Sequence, residues 1–230
     1  MNIYAVICTR SREEISITTD KLLHFLTSGG IKVSLLTGAK SIFSAYHGAY
    51  KHINPNTDDI IIFCHDDIEI RETPQNFIKK LQEGLAPAEA GFVGAAGTME
   101  LGPDAIWWDL DRWHQHKHRG TVMHIDPNGN EYVTTYGPPG DVATLDGLFL
   151  AAKRKVIDDV GLQKPKYFEG EWDFYDIYYT SQAYLKGYQN KVIDIAIFHN
   201  SRGELVGRDS WHKNREAFIE NNELPIKILD

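Results

Sequence analysis

Cysteine is scarce in this chain: two in 230 residues, Cys8 and Cys64, each inside an apolar, strand-like run. That excludes a disulfide framework, and both read as buried free thiols without catalytic surroundings. Long apolar runs are missing as well, and none is long enough to span a bilayer. The first ten residues, Met1 to Arg10, hold a short apolar core with no basic region before it, unlike a secretory signal. The expected compartment is therefore cytoplasmic. Positive charge is in deficit, with 32 acidic against 24 basic residues and a net charge of −8. Non-specific nucleic-acid binding needs a basic surface to neutralise phosphates, so no nucleic-acid partner is expected. A phosphorylated small ligand stays open, because a metal ion can supply the missing charge. There are no repeats and no low-complexity linker. A glycine-rich phosphate loop is absent too: Thr9-Arg-Ser-Arg12 follows the first apolar run. Gly91, Gly94 and Gly97 lack the dinucleotide-fingerprint spacing and read as close strand packing.

What is present is an alternation of short apolar runs and helical segments. Ile3–Cys8, Lys32–Leu36, Ile60–Cys64 and Gly91–Gly97 read as buried strands. Between them lie a helix opened by Ser11 with Glu14 as a capping box, a helix over Ile42–Ile53, and one from Thr73-Pro74 through Leu85. That order predicts an α/β fold with a mostly parallel central sheet and helices on both faces. The second half is irregular. Thr121–His124 and Glu131–Thr135 flank an Asn-Gly turn and predict a β-hairpin. Leu148–Ala152 is a further strand, Lys153–Val160 a short helix, Phe174–Lys186 a longer one, and Lys191–Ile197 another strand. Ser210 is placed to cap a last helix through Glu220. One domain over residues 1–230 is expected, with a nucleotide-binding half (1–98) and an acceptor and catalytic half (99–230).

Three constellations could carry chemistry. The apolar run ending at Cys64 stops in His65-Asp66-Asp67, with Glu69 beyond. Carboxylates at the tip of a buried strand suit a hard divalent cation that keeps positions open for phosphate oxygens; the alternative is a solvated turn. Glu169, Glu171, Asp173 and Asp176 are interleaved with Trp172, Phe174 and Tyr175 at the start of a helix. There a carboxylate also complements the helix dipole. Asp173 fits an N-cap, whereas Asp176, one turn in, is free to act as a general base. His199 closes the run Val192–Phe198, and gains weight as a ligand when the other two constellations are real. His114, His116 and His118 alternate and would share one face of an extended segment, but a solvated loop is the favoured reading.

With these residues in view, the chain resembles glycosyltransferases of the GT-A fold, of the family 2 type. Ile3–Arg10 resembles the first strand and its nucleotide-contacting loop, and Ile61–Ile70 the strand ending in the metal-binding Asp-x-Asp motif. Leu145–Arg154 resembles the Asp-Gly strand, and Phe174–Tyr188 with His199 the catalytic helix, the Gly-Tyr turn and the C-terminal histidine. The four segments occur in the family's order. Three departures stand out: His65 sits where the first Asp of the motif is usual, Tyr175-Asp176 replaces a Glu-Asp pair, and Tyr178 stands where a second Asp is common two residues later. The resemblance implies a nucleotide-diphospho-sugar donor, a saccharide or other hydroxyl acceptor, and Mn²⁺ or Mg²⁺. It implies metal ligation by Asp67, with Asp66 on the donor's ribose or the same ion and His199 on the metal or the diphosphate. Thr9, Arg10 and Arg12, which follow the first parallel strand at the sheet's carboxyl edge, are expected at the nucleotide. Asp176 would be the general base, with Asp146 as its alternative or an orienting group. Trp107, Trp108, Trp113 and Trp172 would be available to stack on sugars. A nucleotidyltransferase, or a non-catalytic sugar-binding protein on the same scaffold, are the competing readings.

Overall fold

Five consecutive apolar residues, Ile60–Cys64, are each at most 1% exposed, so the strand they form is buried on both faces. Burying one such side chain contributes about 1.5–3 kcal/mol, which makes this strand a rigid rod with its polar tip fixed in space. The computed structural model describes residues 1–11, 14–126, 128–200 and 208–228.

In the first half the chain runs β1 (Ile3–Cys8), α1 (Ile17–Ser28), β2 (Lys32–Leu36), α2 (Ile42–Ile53), β3 (Ile60–Cys64), β4 (Ile68–Ile70), α3 (Pro74–Gly84), β5 (Ala90–Gly94) and β6 (Ala96–Thr98). It continues with β7 (Glu100–Leu101), α4 (Leu110–His114), β8 (His118–Ile125), β9 (Glu131–Gly137), β10 (Gly140–Val142), β11 (Thr144–Leu145) and β12 (Phe149–Lys153). It closes with α5 (Arg154–Val160), α6 (Tyr175–Leu185), β13 (Gln189–Val192), β14 (Ile197–His199), α7 (Asp209–Asn221) and β15 (Ile226–Lys227). Among the described residues no helix is long and apolar enough to cross a membrane.

The main sheet has seven strands in the order β10-β13-β5-β12-β3-β1-β2. β1 pairs in parallel with β2 and β3, and β13 with β5; β12 is antiparallel to both β3 and β5, and β10 to β13. Five of the seven strands therefore point the same way, as the alternation predicts, and β12 is the reversed strand at the centre. Six further strands form a second sheet, in the order β11-β6-β8-β14-β4 with β9 against β8. The expected hairpin is there as β8 and β9, Thr121 opposite Thr135.

Several local expectations are corrected. The capping serine of α1 is Ser16, whose Oγ accepts from the Thr19 amide at 3.0 Å, and not Ser11. Gly91–Gly97 is two strands, broken at Ala95, because β5 and β6 belong to different sheets. Lys191–Ile197 likewise splits into β13 and β14. Ser210 does not cap α7, whose N-cap is Arg208; its hydroxyl instead donates to Asp173 Oδ2 at 2.7 Å. The three alternating histidines are not one solvated face. His114 and His116 are exposed, but His118 is buried, with Nδ1 3.2 Å from Thr98 Oγ1 and Nε2 3.0 Å from the Asp109 carbonyl.

Candidate active site

The second sheet explains how distant residues meet. His65, Asp66 and Asp67 leave the tip of β3 in a turn, and the chain immediately becomes β4. β4 is antiparallel to β14, with Ile68 opposite His199, so Asp67 arrives beside the imidazole that ends β14. The Asn200 amide donates to the Asp67 carbonyl at 2.8 Å and closes this junction. The result is a cluster of His65, Asp67 and His199, whose ligand atoms all lie within 4.8 Å of one another. His199 Nε2 is 3.3 Å from Asp67 Oδ1, and His65 Nδ1 is 3.8 Å from the same oxygen. That oxygen is shielded from water and has no well-aligned hydrogen-bond donor. A shielded carboxylate oxygen without a partner is costly, and two imidazoles beside it complete a donor set that fits a divalent ion. Burial would raise the Asp67 carboxyl, but the neighbouring His199 and His65 outweigh it and hold it below its ordinary value. Burial also works against charge on His199, yet Asp67 outweighs it and holds that imidazole above its ordinary value.

The opposite wall is the start of α6. Phe174 precedes the helix with φ 66°, a left-handed conformation that costs a non-glycine residue about 1 kcal/mol or more. Packing holds it there: its ring lies 5.4 Å from Trp211 and 5.9 Å from Phe218. The helix begins with Tyr175 and Asp176, which both line the cavity. Asp176 Oδ2 accepts from the Gly147 amide at 2.9 Å. Burial, and then the charge of Asp146, push the Asp176 carboxyl up to about 7. Asp146 itself is held by its amide, which donates to the Ala96 carbonyl at 2.9 Å, and by Oδ1, which accepts from the Leu148 amide at 2.8 Å.

A cavity of about 710 Å³ lies between these walls. Thr9, Arg10, Asp66, Asp67, Asp146, Asp176 and His199 all line it, whereas Glu69, Glu169 and Glu171 of the same constellations pair with Lys21, Lys213 and Lys164 instead. Arg12 lies outside the described residues. The Arg10 guanidinium sits 4.3 Å over the Trp172 ring, and burial followed by repulsion from Arg208 lowers its pKa. Asp66 lines the cavity but stands outside the cluster of His65, Asp67 and His199, with its carbonyl accepting from the Thr19 hydroxyl at 2.8 Å. Cys8 is a floor residue; burial pushes its thiol up to about 12, so it is no nucleophile.

Some roles were misplaced. Of the four tryptophans expected at the site, Trp108 and Trp172 line the cavity. Trp107 is 2% exposed, in the core, and Trp113 packs on His118 and Tyr136. Trp211, which no sequence signal marked, lies 5.8 Å from Trp108 and lines the same end. Asp173 is not a helix cap but a buried carboxylate, bonded to Ser210 and 3.7 Å from Arg208. His65 was read as a departure from the metal motif, and the structure makes it a member of the cluster.

Residues 5–222 match the sequence model of a family described as "Glycosyltransferase like family". Over 191 residues the chain is 27% identical to the streptomycin biosynthesis protein StrF of Streptomyces griseus, covering 80% of this chain but 62% of that protein. Among the solved structures that share its fold are two that illustrate the likeness. A197 from STIV superposes with a TM-score of 0.50 at 15% identity, over 87% of this chain and 86% of that one. GalNAc-T7, solved with UDP, GalNAc and Mn²⁺, superposes with a TM-score of 0.55 at 12% identity, over 93% of this chain and 47% of that one. The fold is thus the GT-A fold of the glycosyltransferases.

Proposed function

The chain belongs to the glycosyltransferase-like family, and from that premise we propose that it is a transferase, carrying out a metal-dependent, inverting transfer of a sugar from a nucleotide-diphosphate sugar to an acceptor hydroxyl. One observation carries this reading: residues from five separate segments converge on one cavity, with a cation-ready cluster on one wall and a carboxylate titrating near neutrality on the other.

His65, Asp67 and His199 would hold the ion, with two nitrogens and one carboxylate as donors. That set suits Mn²⁺ better than Mg²⁺, which prefers oxygen ligands. A divalent ion, when bound, supplies positive charge to the leaving diphosphate. Arg10, at the tip of β1, offers bidentate contact to phosphate oxygens. Thr9 and Asp66 line the donor side. Asp176 takes the proton of the acceptor hydroxyl. The freed oxygen pair bonds to the anomeric carbon as the carbon–oxygen bond to phosphate breaks on the opposite side. A base that titrates near 7 is matched to this task at neutral pH. Asp146 orients the donor sugar or the acceptor, and the Trp108–Trp211 end of the cavity offers faces for the acceptor ring. The residues 1–98 and 99–230 are the donor and the acceptor and catalytic halves of this machine.

The test is a panel of nucleotide sugars assayed by thermal shift and by donor hydrolysis, with Mn²⁺, with Mg²⁺ and with chelator. One donor should raise the melting temperature in the presence of Mn²⁺, because a ligand that binds the folded state stabilises it, and should be hydrolysed slowly. A chain that binds no nucleotide sugar, or that forms one from a nucleoside triphosphate and a sugar phosphate, defeats the proposal.

A further inference from the structure

Two of the residues at which the chain departs from the family's motifs, His65 and Tyr175, touch each other. His65 Nε2 is 2.8 Å from the Tyr175 hydroxyl, across the cavity floor between β3 and α6. The direction of this hydrogen bond follows from the next one. The Tyr175 hydroxyl donates to the Gly147 carbonyl at 2.8 Å. A carbonyl can only accept, and a phenol carries a single proton. With that proton committed to Gly147, the contact with His65 requires Nε2 to be the donor. The neutral imidazole therefore carries its proton on Nε2 and leaves the Nδ1 lone pair free, on the side of Asp67 and His199.

Without Tyr175 the imidazole would have a better local choice. The shielded Asp67 Oδ1 lies 3.8 Å from Nδ1 and lacks a well-aligned donor. A proton on Nδ1 would answer that carboxylate and at once remove the lone pair that a cation needs. The phenol denies this alternative by occupying Nε2–H. A ligating histidine held through its second nitrogen is a general device of metal sites, and loss of the outer partner costs about 10–100-fold in metal affinity.

Gly147 joins this device to the other wall. Its carbonyl receives the Tyr175 hydroxyl and its amide donates to Asp176 Oδ2. A Cβ at this position would come within 2.8 Å of Asp176 Cβ and closer still to the Tyr175 hydroxyl, so the backbone can approach both only as glycine. The neighbouring Leu148 carbonyl accepts from the His65 amide at 3.0 Å. One turn thus sets the imidazole, the phenol and the carboxylate relative to one another.

We propose that Tyr175 is a positioning residue which, braced on the Gly147 carbonyl, fixes the tautomer of His65 so that its Nδ1 lone pair faces the cation position. The inference rests on the metal-dependent reading for its purpose, but its first readout needs no metal. The protein, labelled with ¹⁵N-histidine and stripped of metal, is examined by NMR at about pH 8, with the His65 signals identified by their loss in His65→Gln. The parent should show a slowly exchanging Nε2–H proton with a nuclear Overhauser contact to the Tyr175 ring. In Tyr175→Phe that proton should vanish and the Nδ1–H form should grow. Mn²⁺ titration should then show binding about 10–100-fold weaker than in the parent. Tyr179→Phe is the control. It removes another buried hydroxyl of α6, one that donates to the Leu162 carbonyl at 2.7 Å, and should change neither tautomer nor affinity.

A parent in which His65 carries its proton on Nδ1, or lacks the protected Nε2–H, overturns the proposal even if Tyr175→Phe does not fold. A folded Tyr175→Phe with unchanged tautomer and unchanged Mn²⁺ affinity overturns it as well. A tautomer that shifts as expected in a protein that binds no Mn²⁺ leaves the positioning role standing and defeats the metal-dependent reading instead.

Discussion

Asp67 and Asp176 line one cavity, yet their environments push them in opposite directions. Asp67 stands between two imidazoles, which hold it below the ordinary carboxylate range against the effect of burial. Asp176 is buried beside another carboxylate, Asp146, and is pushed up to about 7. The first wall keeps a permanent negative charge, which is what holding a cation needs. The second keeps a group that takes or gives up a proton near neutral pH, which is what activating a hydroxyl needs. Two carboxylates whose environments separate their pKa values are the general mark of divided roles in an active site. The difference comes from neighbours and not from residue type, so it can be broken one neighbour at a time.

The largest effect is expected where the proton moves. Asp176→Asn should lower the rate of transfer about 10²–10⁴-fold while donor and Mn²⁺ binding persist. Asp146→Asn should instead chiefly raise the acceptor concentration needed. Kinetics of both variants with a saturating donor separate the roles, and near-normal turnover in Asp176→Asn would remove it from the mechanism. Next in size is the wall that carries His65, Asp67 and His199. Asp67→Ala should weaken Mn²⁺ binding by more than about 100-fold, since a direct ligand matters more than an outer one, with the circular dichroism unchanged. Parent-like Mn²⁺ affinity by calorimetry would show that the cluster holds no ion.

The pH dependence sharpens the contrast. A base with a raised pKa is active once deprotonated, so turnover should rise with pH through about 7. Removing the Asp146 charge lowers the Asp176 pKa, so Asp146→Asn should move that rise to lower pH. A midpoint that stays in place would mean that burial alone sets it. The smallest effect is on stability. Asp176 ionises more readily in the unfolded chain than in the folded one, so its proton favours the folded state. Stability is full below about pH 4 and is lost as pH rises towards 7. Asp176→Asn should therefore stabilise the metal-free protein at pH 8 by roughly 1–3 kcal/mol and change little at pH 4. Equal melting temperatures for the two proteins at pH 8 would contradict the strained carboxylate.

The amino-acid sequence by itself determined the first layer of this fold. Ile60–Cys64 is apolar at every position because both faces of β3 are covered, and such a run reads as a buried strand without any knowledge of its partners. Its polar tip placed Asp67 at the sheet's edge, and Asp176 in the first turn of α6 was legible from the helix that follows it. Beyond its hairpin of β8 and β9, the second sheet was not legible. β4, β6, β11 and β14 are two or three residues long, too short for any period to show, and they exist through pairings with distant parts of the chain. Local rules also misdirected the reading at Asp173 and Ser210, each plausible as a helix cap. A hydrogen bond between the two, across 37 positions of sequence, took both side chains away from capping. The same holds for the site. The sequence supplied an acidic strand tip, a helical aspartate and a C-terminal histidine. Tertiary structure alone decided that β14 lays His199 against Asp67, that His65 joins them, and that Tyr175 and Gly147 brace both walls. Those contacts are set by long-range strand pairing and by a close backbone approach, and neither leaves a periodic trace in the chain.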